Sequence, residues 1–115
     1  MQISMYSTSG GKDIVSGGNY SPEGKAKILN ILKTMKSEGI DGFLIRPVNK
    51  NSSPKLFEIK NGRVRVFFFK HNEGVYITHI VENKQKNKTE LVDKELATNR
   101  IQSMIENPEL HAKTL

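Results

Sequence analysis

The 115-residue chain contains no cysteine. That rules out a disulfide framework, a thiol nucleophile and a cysteine-based zinc site. Its three histidines, His71, His79 and His111, stand far apart and lack metal-ligand spacing. No apolar run approaches the roughly 20 residues needed to span a bilayer. The start, Met1-Gln-Ile-Ser-Met-Tyr6, has neither the basic region nor the long apolar core of a secretory signal. These absences lead to the expectation of a cytosolic protein that uses no metal, no cofactor and no membrane. Repeats and low-complexity tracts are also missing. The glycines between Ser7 and Asn19 lack the G-x-x-x-x-G-K-[ST] spacing of a nucleotide cradle and read as a connector. With 36% hydrophobic residues and a mean hydropathy of −0.51, the expectation is one two-layer domain over residues 1–115.

Acidic residues are scarce in one place. Between Leu44 and Lys88 the chain has ten Lys/Arg and three Asp/Glu, a balance of +7, whereas the remainder has eight and nine, a balance of −1. The overall charge of +6 and pI near 9.6 favour attraction to polyanions. This basic stretch is also the most strand-like part of the chain. Lys55–Lys60, Arg63–Lys70 and Val75–Val81 are rich in aromatic and β-branched residues, and Asn61-Gly62 predicts a type I′ hairpin turn between the first two. Alternation along the second strand places Val64, Val66 and Phe68 on one face, with Arg63, Arg65, Phe67 and Phe69 on the other. His79 alternates with Ile77 and Val81.

Around these strands, Gln2–Thr8 reads as a short strand and residues 1–20 as a glycine-rich strand and loop, with a turn of helix at Asp13–Val15. Ser21-Pro22 predicts a capped helix start, Ile28, Leu29, Ile31, Leu32 and Met35 form its apolar stripe, and Gly39 ends it. Pro47–Pro54 reads as a loop. Asn87, with Glu90 three residues on, predicts the cap of a second helix. Its stripe is Leu91, Leu96, Ala97, Ile101, Met104 and Ile105, Asn107-Pro108 stops it, and residues 107–115 form a flexible tail.

Two constellations bear on chemistry. Arg63 and Arg65 are two apart on one strand, a fork for phosphate oxygens or a solvent-facing pair with Glu58 as its partner across the hairpin. Lys84, Lys86 and Lys88 alternate in the segment that leaves the third strand, either as a line of ammonium groups for a polyanion or as a solvated charge run. Without a metal, phosphodiester cleavage would use the 2′-OH of RNA as nucleophile, with a base, an acid and cations for the developing charge. Glu58, His71, His79, Tyr76 and the lysines are the candidates. His79 also fits a hydrogen-bonded core histidine.

From about Ser21 to Glu106 the chain resembles the RelE/ParE superfamily of type II toxins, most closely its HigB-type, phage-derived branch. The family order is helix, loop, a Leu-Trp-Glu-Leu-Arg strand, a Tyr-Arg-Val-Phe/Leu-Tyr-Phe strand, a strand ending in His-x-Phe, a Lys-Lys-x-x-Lys segment and a last helix. Here the pieces are Leu56-Phe-Glu-Ile-Lys60, Val64-Arg-Val-Phe-Phe-Phe69, His79-Ile-Val81 and Lys84-Gln-Lys-Asn-Lys88. Phe57 replaces the motif tryptophan, Asn83 stands where a second basic residue is usual, and neither the proline before the last helix nor a C-terminal tyrosine is present.

The resemblance implies a small α+β, RelE-like domain with a twisted, mainly antiparallel sheet of about four strands and helices packed on one face. It also implies a metal-independent mRNA interferase, a toxin that cuts mRNA in the ribosomal A site and is neutralised by a cognate antitoxin. Carried over by position, Arg65 contacts the scissile phosphate with help from Arg63. Lys84 and Lys86 hold flanking phosphates or transfer a proton. Lys60 stands where the family often has arginine and is expected to bind RNA together with Lys88, Arg46 and Lys55. Glu58 and His79 match family positions that are more structural than catalytic in some members and are candidates for proton transfer. The same superfamily includes ParE-like toxins that bind DNA gyrase, and a phage accessory protein with this fold that binds RNA or an antitoxin without cleavage fits the sequence as well.

Overall fold

A computed structural model describes residues 2–49, 53–83 and 90–115. Its centre is a six-stranded sheet in the order β2-β3-β4-β5-β1-β6. The strands are β1 (Ile3–Tyr6), β2 (Ile45–Asn49), β3 (Leu56–Asn61), β4 (Val64–His71), β5 (Gly74–Glu82) and β6 (Ala112–Thr114). Only β1 and β5 run parallel; every other neighbouring pair is antiparallel. The helices are α1 (Pro22–Glu38), α2 (Leu91–Glu106) and the short α3 (Pro108–His111). No helix among the described residues is long and apolar enough to cross a membrane.

The expectation of helices on one face is overturned. Val64, Val66 and Phe68 of β4 pack with Ile28, Ile31, Leu32 and Met35 of α1. The alternate residues Phe67 and Phe69 pack with Ala97, Ile101 and Met104 of α2. Because successive side chains of a strand point to opposite faces, α1 and α2 cover opposite sides of the sheet. This explains why β4 is apolar throughout: every residue from Val64 to Phe69 is buried. Leu29, Leu91 and Leu96, which the helical stripes include, are exposed instead. At their ends the stripes are wider than the faces that meet the sheet.

The sheet also has six strands rather than about four. β2 takes in the first three residues, Pro47–Asn49, of the predicted Pro47–Pro54 loop. Proline is tolerated there because β2 lies at the edge of the sheet and its register shifts between Pro47 and Asn49. The C-terminal segment is not a free tail. Pro108 starts α3, and the next three residues pair antiparallel with β1. Ser7 N–H donates to His111 O at 3.0 Å, and Leu115 N–H donates to Ile3 O at 2.8 Å.

The turns follow residue chemistry closely. Asn61 pairs with Val64, so Gly62-Arg63 rather than Asn61-Gly62 forms the β3–β4 turn, and Gly62 carries the positive φ of 61°. Positive φ at the first central position alone is the type II′ pattern. The β4–β5 turn uses Asn72 and Glu73, both with positive φ (48° and 64°), the type I′ pattern. Ser21 caps α1 as expected, its Oγ accepting from Gly24 N–H at 3.0 Å. The predicted cap Asn87 lies outside the described residues, and the N-cap of α2 is Glu90. Asp13–Val15 is a turn, not helix: Asp13 Oδ1 accepts from Val15 and Ser16 N–H at 2.9 and 2.8 Å.

Candidate nucleic-acid interface

The β3–β4 hairpin and β2 place Arg46, Glu58, Lys60 and Arg65 on the sheet face that α2 covers. Arg46 lies opposite Glu58 in the β2–β3 register, and Lys60 lies opposite Arg65 in the β3–β4 register. Arg46 Nη2 donates to Glu58 Oε1 at 3.0 Å; Arg46 is 55% exposed, whereas Glu58 is 1% exposed. Lys94 of α2 adds a further positive charge. Burial, followed by the charges of Arg46, Arg65 and Lys94, holds the Lys60 ammonium below its ordinary pKa against the opposing pull of Glu58. Four cations around one carboxylate leave this cluster at +3. Of the ten cations in the basic stretch, Arg46, Lys60 and Arg65 lie on this face, and Lys94 joins them from outside the stretch.

Arg65 is 0% exposed. Its Nη1 donates to Gly62 O at 2.6 Å and Val64 O at 3.1 Å. Burial lowers its pKa, Glu58 opposes that shift and Arg46 adds to it. In this arrangement a phosphate has no access to the Arg65 guanidinium, which ties the β3–β4 turn to its own strand. Arg63 is not its companion in a fork. It is a turn residue, exposed, and lines a separate cleft of about 660 Å³ with Ser21, Glu23, Gly24, Lys27 and Glu82. There the Glu82 carboxylate accepts from Ser21 N–H at 2.7 Å and also from the Ser21 hydroxyl, which lowers its pKa. The α1 N-terminus thus already holds an anion supplied by the chain itself. Lys55 is exposed just before β3. Lys84, Lys86 and Lys88 lie outside the described residues.

His79 is placed by a feature that alternation could not reveal. The β4–β5 register pairs Phe67 with His79 but Phe68 with Ile77, so Thr78 is the extra residue of a β-bulge. The bulge turns Ile77 toward the α1 core and His79 toward α2, breaking their expected alternation. His79 Nε2 lies 2.9 Å from Asp93 Oδ1 and Nδ1 lies 3.3 Å from Arg100 Nη1. Since Arg100 only donates, Nδ1 accepts and Nε2–H donates to Asp93. Both ring nitrogens are engaged, the ring stacks on Phe67, and burial lowers its pKa below 6.5 despite Asp93. His79 therefore fixes α2 on the sheet and has no free nitrogen for a substrate proton in this arrangement. Arg100 also donates to Thr78 O at 3.1 Å and lies 4.3 Å from the Tyr6 ring centre.

The other polar candidates are similarly occupied or remote. Tyr20 donates to Ile14 O at 2.7 Å, and burial pushes its pKa up to about 12, so it stays neutral. His71 and Tyr76 belong to an aromatic group with Phe69 near the β4–β5 turn. No group of three or more His, Asp or Glu residues suited to a metal ion occurs among the described residues. Sequence reasoning missed Lys94, whose place in the cluster depends on α2 crossing that face. The available signal was its position one helical turn after Leu91.

The sheet and its cluster define a small α+β protein with one basic, helix-covered sheet face. Residues 19–102 match the family described as phage derived protein Gp49-like (DUF891), and the chain belongs to that RelE-like, phage-derived family. No curated protein and no solved structure matches the chain.

Proposed function

We propose that this protein is the toxin of a type II toxin–antitoxin pair, a HigB-type mRNA interferase that cuts mRNA on the ribosome and is held inactive by a cognate antitoxin. The observation that carries the reading is the +3 cluster of Arg46, Lys60, Arg65 and Lys94 around buried Glu58, set on a sheet face of a RelE-like family member. In this reading Arg46, Lys60 and Lys94 hold the RNA backbone, joined by Lys84, Lys86 and Lys88, which follow β5 in the sequence. Arg65 sets the potential of the face from beneath. The nucleophile is the 2′-OH next to the scissile phosphate. A proton leaves that hydroxyl, a proton reaches the departing 5′-oxygen, and nearby cations offset the charge on the phosphate. Lys60, whose pKa burial and the neighbouring cations lower, is the group of this cluster to which the reading assigns proton exchange. The ribosome supplies substrate orientation, which lets a shallow site suffice.

The experiment is to add purified protein to translating ribosomes and analyse the mRNA fragments. The reading expects new 5′-hydroxyl ends paired with 2′,3′-cyclic or 3′-phosphate ends; uncut mRNA with unimpaired translation would refute it.

A second reading has its own support. Arg65 is buried and both nitrogens of His79 are bound by the protein, an arrangement that suits an RNA- or antitoxin-binding phage accessory protein without cleavage. RNA binding by the basic face with no fragment formation would favour it.

A further inference from the structure

Between the β2 edge and the outer side of α2 runs a shallow groove of about 300 Å³, lined by Val48, Leu91, Lys94, Glu95, Thr98 and Asn99. Leu91, Glu95 and Asn99 are four residues apart and form one stripe of α2. Leu91 is 69% exposed and with Val48 supplies the apolar part of the groove. Glu95 and Asn99 are exposed, and among the described residues their side chains make no hydrogen bond or ion pair with the rest of the protein. Thr98 is different: its hydroxyl donates to Lys94 O at 2.7 Å. Lys94 belongs both to this groove and to the basic cluster, since its charge acts on Lys60.

We infer that this groove is a nucleobase subsite, in which one base of a bound RNA lies on Val48 and Leu91 while Glu95 and Asn99 read its edge. The inference rests on the RNA-binding reading above. Its chemistry is specific. A polyanion held by Arg46, Lys60 and Lys94 carries its bases a short distance from its phosphates, and here an apolar platform with two hydrogen-bonding side chains adjoins Lys94. Stacking on the platform is tolerant of base identity because every base has an apolar face. Glu95 is not tolerant. An ionised carboxylate only accepts, so it favours a base that offers amino or imino donors. Guanine presents two adjacent donors, N1–H and the N2 amine, whereas adenine and cytosine each present one amine. Uracil sets carbonyl oxygens on both sides of its one N–H and would oppose the carboxylate. The Asn99 amide supplies the donor that the remaining acceptor of the base needs. The predicted order therefore has guanine tightest and uracil weakest.

The test is fluorescence anisotropy of the full chain with four labelled heptanucleotides, UUUXUUU, where X is G, A, C or U. Wild type is expected to bind X = G at least about tenfold more tightly than X = U, the scale of one good bidentate contact. Glu95→Gln should bring the four affinities within about twofold of each other, because an amide donates as well as accepts. Leu91→Ala should weaken binding of all four oligonucleotides, because it removes part of the platform on which any base stacks. Both residues are exposed, so neither variant should unfold the protein, and unchanged thermal melting checks that. Salt-sensitive binding with equal affinities for all four would overturn the subsite and leave the RNA reading standing. A G-over-U preference untouched by Glu95→Gln would also overturn it. Absence of binding to every oligonucleotide would overturn both.

Discussion

At the scale of single residues, the chain's most informative side chain has a different role from the one its motif implies. Arg65 occupies the position of a phosphate-contacting arginine, yet it is wholly buried and hydrogen-bonded to Gly62 O and Val64 O. Truncating a fully buried side chain of this size leaves a cavity and takes the donor from Gly62 O and Val64 O, at a cost of about 2–5 kcal/mol. Arg65→Ala is therefore expected to lower folding stability by that order, read from denaturant unfolding. Stability unchanged within about 0.5 kcal/mol would mean that the guanidinium is not committed to the fold. Loss of activity in that variant would be uninformative about catalysis, which is why the exposed lysines are the better probes.

The titrating residues make a second prediction. Burial keeps the folded pKa of His79 below its ordinary 6.5. Between the two values the unfolded chain binds more protons than the folded one, so the contribution is complete above about pH 6.5 and is lost as pH falls through the lowered value. Glu82 is also lowered, by its Ser21 hydrogen bonds. Asp13 is lowered too: burial pushes its carboxyl up, but the Ser16, Lys113 and Val15 hydrogen bonds outweigh it. Their contributions persist to lower pH and disappear beneath the ordinary values of 4.5 and 3.8. Acid unfolding should therefore begin just below pH 6.5, and His79→Gln should remove that first phase while the carboxylate phase remains. A wild-type melting temperature that is flat from pH 7 to about 5 would contradict the account.

At the scale of elements, legibility followed the strength of local chemistry. Ser21-Pro22 and Gly39 bound α1 because capping and proline geometry act within a few residues. The three central strands were legible from their aromatic and β-branched runs. β2 and β6 were not, because neither has a strong local preference: each exists because an open sheet edge accepts it, and Pro47 misleads on an edge where its missing N–H is harmless. The Thr78 bulge escaped for a related reason, since an extra residue leaves composition unchanged while reversing the facing of what precedes it. In the interface, the sequence placed Glu58 and Lys60 on one strand, but it showed neither the strand that carries Arg46 nor that Arg65 is covered, which both depend on tertiary packing.

The β4–β5 turn offers a clean element-scale prediction. Glu73 holds a φ of 64°, a region where a side chain with a Cβ is disfavoured. Glu73→Gly should stabilise the fold by about 0.5–1 kcal/mol, because the relief of that strain exceeds the added freedom of the unfolded chain. Gly62 presents the reverse case. Its φ is 61°, and a Cβ there would lie 2.6 Å from Lys27 Nζ. Gly62→Ala should therefore destabilise the hairpin, and a thermal melt of the two variants moving in the same direction would contradict this reading of the turns.

At the scale of the whole molecule, the described residues form a sheet sandwiched between helices on opposite faces, with Arg46, Lys60, Arg65 and Lys94 gathered on the face beneath α2. A face of this kind binds polyanions by displacing counterions, so RNA affinity should fall steeply with salt, and each lysine removed should reduce the slope by about one. Covering the face would remove affinity and activity together, which is what an acidic antitoxin segment is expected to do.

The central claim is tested most directly by mapping new mRNA ends on translating ribosomes with wild-type protein and with Lys60→Gln/Lys94→Gln, two substitutions outside the buried core. The account predicts abundant new ends with wild type and at least a tenfold loss with the folded double variant. Equal cutting by both proteins, or none by either, would contradict it.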